Sequence, residues 1–356
     1  MPWLDSQLVY HAFPRVGLEG LIIVAPAEPY VCIGYHQDVV QEVDVAYCQE
    51  HGIPIFRREV GGGAVFLDGQ QVFYQLVLHK DSPLALGDKS AFYQRLLQPV
   101  VEAYGELGVP CRFRPVNDIV TADGRKISGN GAATIGDYVI LVGNLIADFD
   151  YQTMVRVLRM PDEKYRDKLF KSMQENLTTL QRETGRLPSW DEMVLPLVRR
   201  FEQILGPLEP SVLPLAVREQ VEELKPLFLS QEWLYKKGKT RPGREVTIAS
   251  GVNVVQRLYK APGGLLRATL ELKGDRLASV SLSGDFFCYP QDAVNALEAE
   301  LAGASMERVA AIVTAFCEQG RIESPGVTSE DWLQVLRPAS AGQVLRPAKT
   351  GKVLLA

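Results

Sequence analysis

Two arginines run directly into three glycines in the segment Arg57-Arg58-Glu59-Val60-Gly61-Gly62-Gly63-Ala64-Val65-Phe66. Such a run costs backbone entropy and weakens any strand it interrupts, so it calls for a steric reason. One reason is close approach of a ligand: without Cβ atoms the backbone N–H groups reach an anion, and Arg58 adds a bidentate donor beside them. The other is a plain turn between strands. No Gly-Lys-Ser/Thr follows and the run does not fit G-x-G-x-x-G, which sets aside the Walker A loop and the dinucleotide fingerprint.

A second group begins with Asn117-Asp118-Ile119-Val120 and continues in Gly124-Arg125-Lys126-Ile127-Ser128-Gly129. A turn at Asp123-Gly124 folds the two halves together and brings Asn117, Asp118 and Lys126 near one another. An amide, a carboxylate and an ammonium suit activation of an acyl group with a nucleotide. The carboxylate helps hold Mg²⁺, and the lysine offsets charge developing on phosphate and acyl oxygens. A polar hairpin with a solvated lysine is the bland alternative.

The elements that must carry these residues follow from the patterning. Short apolar runs bounded by turn formers predict strands over 21–25 and 30–33, and a helix over 44–50 is capped by Asp44 and stopped at Gly52. Strand returns over 53–58, runs into the glycines, and resumes over 71–78 with alternating side chains. An amphipathic helix fits 90–107, bent at Pro99, and further strands fit 116–122, 125–128 and 138–142. Residues 151–185 read as helical and charged. Gly/Pro-rich breaks at 206–216 and 238–244 precede a hairpin pattern over 265–282 and two helices near 290–302 and 305–318. Strand pairs and helices without a strict βαβ repeat predict an α+β fold with a mixed sheet. A domain over 1–237, a small α+β unit over 245–336 and a mobile tail over 338–356 are the expected divisions.

With 356 residues, 38 Lys+Arg against 43 Asp+Glu and a formal charge of −5, the chain has length for two domains and lacks the cationic surplus of a nucleic-acid binder. Its five cysteines are dispersed and form no C-x-x-C pair, which points to a reducing compartment. No signal-peptide pattern opens the chain and no apolar stretch approaches a bilayer span, so the expected setting is cytoplasmic and away from membranes.

Taken together, Ile33-Gly34-Tyr35-His36-Gln37, Arg57-Arg58 with Gly61-Gly62-Gly63-Ala64-Val65-Phe66 and Asp68, Asn117-Asp118-Ile119, and Gly124-Arg125-Lys126-Ile127-Ser128-Gly129 resemble the lipoate-protein ligase family in order and spacing. That family's catalytic domain is related to the biotin-protein ligases. Residues 245–336, with Lys260-Ala261-Pro262-Gly263-Gly264-Leu265 and Ser283-Gly284-Asp285-Phe286-Phe287, resemble the family's small accessory domain. The resemblance implies a two-step reaction: lipoate and MgATP give lipoyl-AMP and pyrophosphate, then the ε-amine of a lysine on a small lipoyl carrier protein attacks the mixed anhydride. By the same resemblance Arg58, Gly61, Gly62, Gly63, Ala64 and Val65 line the lipoyl and phosphate site. Asn117, Asp118 and Ser128 belong to the adenylate site, with Asp118 also the Mg²⁺ ligand, and Lys126 bridges acyl carbonyl and phosphate. Residues 160–180 resemble the segment that caps the adenylate, a sensible lid for an anhydride that water would hydrolyse. A monomer is expected.

The pattern also departs from the family. Val60 stands where a Ser is common, Leu67 where a His often follows the Phe, and Val142 where a His often precedes the Gly of the last strand. Two other functions remain open at this level. One is an ATP-independent octanoyl- or lipoyl-transferase working through a thioester, with Cys111, in the loop before Asn117, as the nucleophile. The other is a non-catalytic lipoyl-binding protein. Biotin ligation fits less well, because the loop is Gly-Gly-Gly-Ala rather than the Gly-Arg-Gly-Arg type.

Overall fold

Strand Gln71–His79 is buried along both faces as far as Leu78. In the computed structural model, which describes residues 1–238 and 252–337, it lies inside a four-stranded antiparallel sheet. The order is Gly20–Val24, Gln71–His79, Tyr138–Ile146 and Asn130–Ile135. The register places Gln75 opposite both Ile22 and Val142, and Phe73 opposite Asn144. Helices Trp3–Arg15, Lys89–Glu106, Trp190–Leu205 and Leu215–Phe228 pack around it and close the main core through Leu8, Tyr74, Leu96, Leu197 and Phe201. The alternation of strands thus leaves Gln71, Phe73 and Gln75 on one common face.

Two three-stranded sheets carry the sequence motifs. Ile55–Arg57, Tyr30–Ile33 and Val65–Leu67 form the first, in which Tyr30–Ile33 runs parallel to Ile55–Arg57 and antiparallel to Val65–Leu67. Cys111–Arg114, Asp118–Thr121 and Lys126–Ser128 form the second, entirely antiparallel. The carboxy-terminal residues make a meander of Val252–Ala261, Gly264–Lys273 and Arg276–Gly284 with helices Ala293–Leu301, Met306–Glu318 and Ser329–Leu336. Their apolar faces close a core of their own around Leu270, Leu297, Phe316 and Trp332. The class is α+β, as expected. No helix of the described residues is long and apolar enough to cross a membrane.

Several elements differ from the sequence expectation. Residues Trp3–Arg15, a stretch to which the patterning assigns no element, form a full helix although Pro14 lies within it, because its burial against the sheet outweighs the local signal. Cys111–Arg114 is a strand rather than a loop, and Asn130–Ile135 pairs despite Gly131. Pro99 sits inside helix Lys89–Glu106, which continues through it. The charged stretch divides into Tyr151–Val157, Glu163–Asn176 and Leu180–Thr184. Residues 239–251 and the tail from 338 lie outside the described residues.

Candidate active site

Gly124, at φ +83°, makes the tight turn that lays Lys126–Ser128 against Asp118–Thr121. The outcome is an ionic cluster: Lys126 Nζ lies 2.9 Å from Asp118 Oδ1, and Arg114 Nη2 donates to Asp118 Oδ2 at 2.7 Å. Burial alone would raise the Asp118 carboxyl, but the Lys126 ammonium and the Arg114 guanidinium outweigh it and hold the group below its usual value. Asp118 is therefore ionised at neutral pH and fixes where the Lys126 ammonium sits. Thr178 N–H donates to the Lys126 carbonyl at 2.8 Å, so the end of helix Glu163–Asn176 is tied to the same strand.

Beside this cluster Asn130 Nδ2 donates to the Asn117 carbonyl at 2.9 Å, and Asn117 Nδ2 donates back to the Asn130 carbonyl. Ser128 is fully buried, and its hydroxyl donates to the Asn144 carbonyl at 2.7 Å. It lies off the cavity wall, so its expected contact with the adenylate gives way to a packing position under the hairpin. Asn144 accepts from Gly129 N–H at 2.8 Å and donates to Gln71 Oε1 at 2.7 Å. It thereby joins the hairpin to the central sheet.

The paired arginines have separate tasks. Arg57 is fully buried and donates to the carbonyls of Gly34, Tyr35, Gln37 and Leu234 at 2.6–3.1 Å, pinning the 34–37 turn. Burial draws its guanidinium down to about 10, against the pull of Asp38. Arg58 folds back on the glycine run, donating to the carbonyls of Gly61 at 2.7 Å and Gly63 at 2.9 Å. The steric reason for glycine also proves partly internal. A Cβ on Gly34 would stand 1.9 Å from the Gly62 carbonyl oxygen, and one on Gly61 would stand 2.8 Å from the Phe286 carbonyl oxygen. Gly62 N–H donates to that same Phe286 carbonyl at 3.1 Å, so the carboxy-terminal unit already occupies one donor expected to face an anion.

These groups surround a cavity of about 620 Å³. Arg58, Gly61, Gly62, Gly63 and Val65 line it on one side, Asn117, Asp118 and Lys126 on another, and Lys260, Asp285 and Phe287 complete the wall from the carboxy-terminal unit. Val60, Leu67 and Val142, the three departures from the family pattern, all lie on this wall. A smaller cavity of about 90 Å³ adjoins it and includes Ala64, Met173, Asn176 and Leu177. Lys126, Val65, Gly129 and Asn144 belong to both walls, so the ammonium stands where the two spaces meet.

Cys111 belongs to neither wall. It pairs with Thr121 at the far end of its strand, and burial pushes its thiol up to about 12, assisted by Glu183. The other four thiols are raised by burial as well, Cys48 to about 11 and Cys288 to about 12. Among the described residues no cluster of three or more His, Cys, Asp and Glu side chains could hold a metal ion. Asp118 faces the cavity with both oxygens already beside cations. A Mg²⁺ would accordingly fit only as an ion carried by phosphate oxygens, with one carboxylate touching it.

The family model "Lipoyl protein ligase A/B catalytic domain" matches residues 6–202. The chain belongs to this family. It is 26% identical to the lipoate-protein ligase LplJ of Bacillus subtilis over 338 residues, covering 94% of this chain and 95% of that one. It is 27% identical to the octanoyltransferase LipM of Kyrpidia tusciae over 231 residues, 59% of this chain and 84% of that one. Among solved structures it is similar to a bipartite lipoate protein ligase of Thermoplasma acidophilum, described with its E2 lipoyl domain. The identity is 26% and the TM-score 0.59, over 68% of this chain and 94% of that one. The lipoyl-ligase catalytic fold thus carries the hairpin and the glycine loop on facing sheets. Asn130, Asn144 and Gln75 escape a reading of motifs, since each contributes through pairing with another strand, and Arg114, four residues before Asp118, reaches it across the adjacent strand pair. The only local signal is polar Gln71 and Gln75 on one face of an otherwise apolar strand.

Proposed function

We propose that this chain is an ATP-dependent lipoate-protein ligase, which activates lipoate as lipoyl-AMP and passes the lipoyl group to a specific lysine of a small lipoyl carrier domain. The observation that carries the proposal is the Lys126 ammonium, locked by Asp118 where two cavities meet, while Cys32, a thiol on the same wall, is raised by burial. A lipoate oxygen attacks the α-phosphorus of ATP and pyrophosphate leaves. Lys126 there offsets negative charge on the carboxylate and the phosphoryl oxygens, which like charge would otherwise hold apart. In the second step the carrier amine attacks the acyl carbonyl and AMP leaves, and the same ammonium steadies the tetrahedral oxyanion. Mg²⁺ bound with the nucleotide would neutralise phosphate charge, with Asp118 as its protein contact.

The thioester reading loses support because a nucleophilic cysteine needs a lowered pKa or an adjacent base. Burial instead raises every thiol, and Cys111 is off the cavity. The likeness to LipM alone leaves the transferase as the rival. The proposal extends to the organisation: a catalytic domain over 1–237, an accessory domain over 245–336 that completes the cavity wall, and a monomer working in the cytoplasm. Pyrophosphate release that requires both lipoate and ATP supports this reading; carrier acylation from an acyl-carrier thioester without ATP would replace it with the transferase.

A further inference from the structure

Gly143 stands inside strand Tyr138–Ile146, where a residue without a side chain weakens the pairing unless something must pass close across it. The register names what passes. Gly143 is opposite Tyr74 on one side and Asn130 on the other, so the three share one face of the central sheet. It is the helix face, since the Tyr74 ring packs 5.9 Å from Phe201 of helix Trp190–Leu205. Across the bare Gly143 the Tyr74 hydroxyl donates to Asn130 Oδ1, and a Cβ on Gly143 would overlap both groups.

The Asn130 amide is engaged at both ends. Ser128 Oγ lies 3.2 Å from the same oxygen, but its single hydrogen goes to the nearer Asn144 carbonyl at 2.7 Å, which leaves Tyr74 as the donor. Asn130 Nδ2 donates to the Asn117 carbonyl at 2.9 Å, and Asn117 Nδ2 returns a bond to the Asn130 carbonyl. Among the described residues these two are the hydrogen bonds that fasten the 115–117 turn to the central sheet. Pro115, Val116 and Asn117 line the large cavity, and Asp118 follows them on its wall. A contact on the helix face of the sheet thus sets part of the cavity.

We infer that Asn130 is a positioning residue for the nucleotide end of the site, holding the 115–117 turn so that Asn117 and Asp118 meet the nucleotide. This rests on the ligase reading, which supplies the nucleotide. The Asn130 amide has no group to spare for a ligand, so it acts through Asn117. Arg58 and the glycine run belong to a different sheet and are braced by bonds of their own, so a displaced turn is felt by the nucleotide rather than by the acid.

The test is binding calorimetry of the full chain with MgATP and, separately, with lipoate, followed by pyrophosphate release and thermal unfolding of the same preparations. Asn130→Asp keeps the shape and the acceptor but offers no hydrogen to the Asn117 carbonyl, and it should weaken MgATP about tenfold while lipoate changes by less than about twofold. The KM for ATP should rise by the same factor with kcat little changed. Tyr74→Phe keeps the ring against Phe201 and removes only the hydroxyl; it should shift MgATP in the same direction by about threefold, and it decides the matter if the Asn130 variant does not fold. Folded variants that bind MgATP as the wild type does overturn the inference alone, as does an equal loss of both ligands, which marks a general loosening. A wild type that binds lipoate but no MgATP removes the ligase reading and this inference with it.

Discussion

Lys126→Ala separates a catalytic charge from a packing role. The ammonium lies 2.9 Å from Asp118, and Arg114 holds the other carboxylate oxygen at 2.7 Å. Removing Lys126 therefore leaves Asp118 paired. The stability cost should stay near about 1 kcal/mol, below the 3–5 kcal/mol expected when a buried charge loses its sole partner. The kinetic cost should be far larger. A positioned donor that stabilises developing charge is worth about 10²–10³ in rate, or about 2.7–4 kcal/mol. The assay is pyrophosphate release under saturating MgATP and lipoate, beside thermal unfolding of the same preparations. Lys126→Arg restores charge in a planar, bulkier form and should recover only part of the rate. A folded Lys126→Ala protein that forms lipoyl-AMP at the wild-type rate refutes the assignment, and one that unfolds well below the wild type refutes the claim that Arg114 suffices for Asp118.

Three further outcomes follow from the same structure. Cys111→Ser should retain carrier lipoylation from lipoate and ATP, because the thiol is off both cavities; a thioester trapped on the wild type, with loss of transfer in the variant, would reverse that assignment. Truncation after Gly238 removes Phe286 from the glycine loop and Phe287 from the cavity wall, so adenylation should fall more than aminolysis of preformed lipoyl-AMP. Normal adenylation with failed transfer would instead make the carboxy-terminal unit a docking platform. Fully buried His11 is held neutral, with Nδ1 2.7 Å from the Gln7 carbonyl and Nε2 accepting Glu59 N–H, and burial lowers it to about 4 despite Glu59. The unfolded chain takes up that proton below about 6.5 and the folded one does not, so stability falls as pH drops from 6.5 toward 4, by up to roughly 1.4 kcal/mol per unit. Chemical denaturation at pH 7 and pH 5 should show this loss, and His11→Gln should diminish it; an unchanged slope in the variant would locate the proton uptake elsewhere.

The local motifs carried much of the site because their chemistry is local. Gly124 and the flanking alternation define the hairpin, and with it the meeting of Asp118 and Lys126. Asp44 and Gly52 likewise bracket the short helix as expected, with Asp44 Oδ1 accepting Tyr47 N–H at 3.0 Å. What remained illegible depends on residues far apart in the chain. The need for glycine at 34 and 61 comes from the close approach of Gly34 to Gly62 and of Gly61 to Phe286, and neither Gly34 nor Phe286 lies in the stretch Arg57 to Phe66 that reads as an anion loop. Arg57 and Arg58 look alike in sequence, yet one is a buried clamp on the 34–37 turn and the other braces the glycine carbonyls. Trp3–Arg15 is a helix through its burial against the central sheet and helix Leu215–Phe228, a tertiary cause that local propensity does not express.

The most direct measurement of the central claim combines the purified chain with lipoate, MgATP and a panel of small lipoyl carrier domains, and weighs each carrier by intact mass spectrometry. The account predicts that one or more carriers gain a single lipoyl mass on a lysine, only when ATP is present and with pyrophosphate released alongside. Acylation that proceeds equally without ATP, or pyrophosphate release that ignores lipoate, would contradict it.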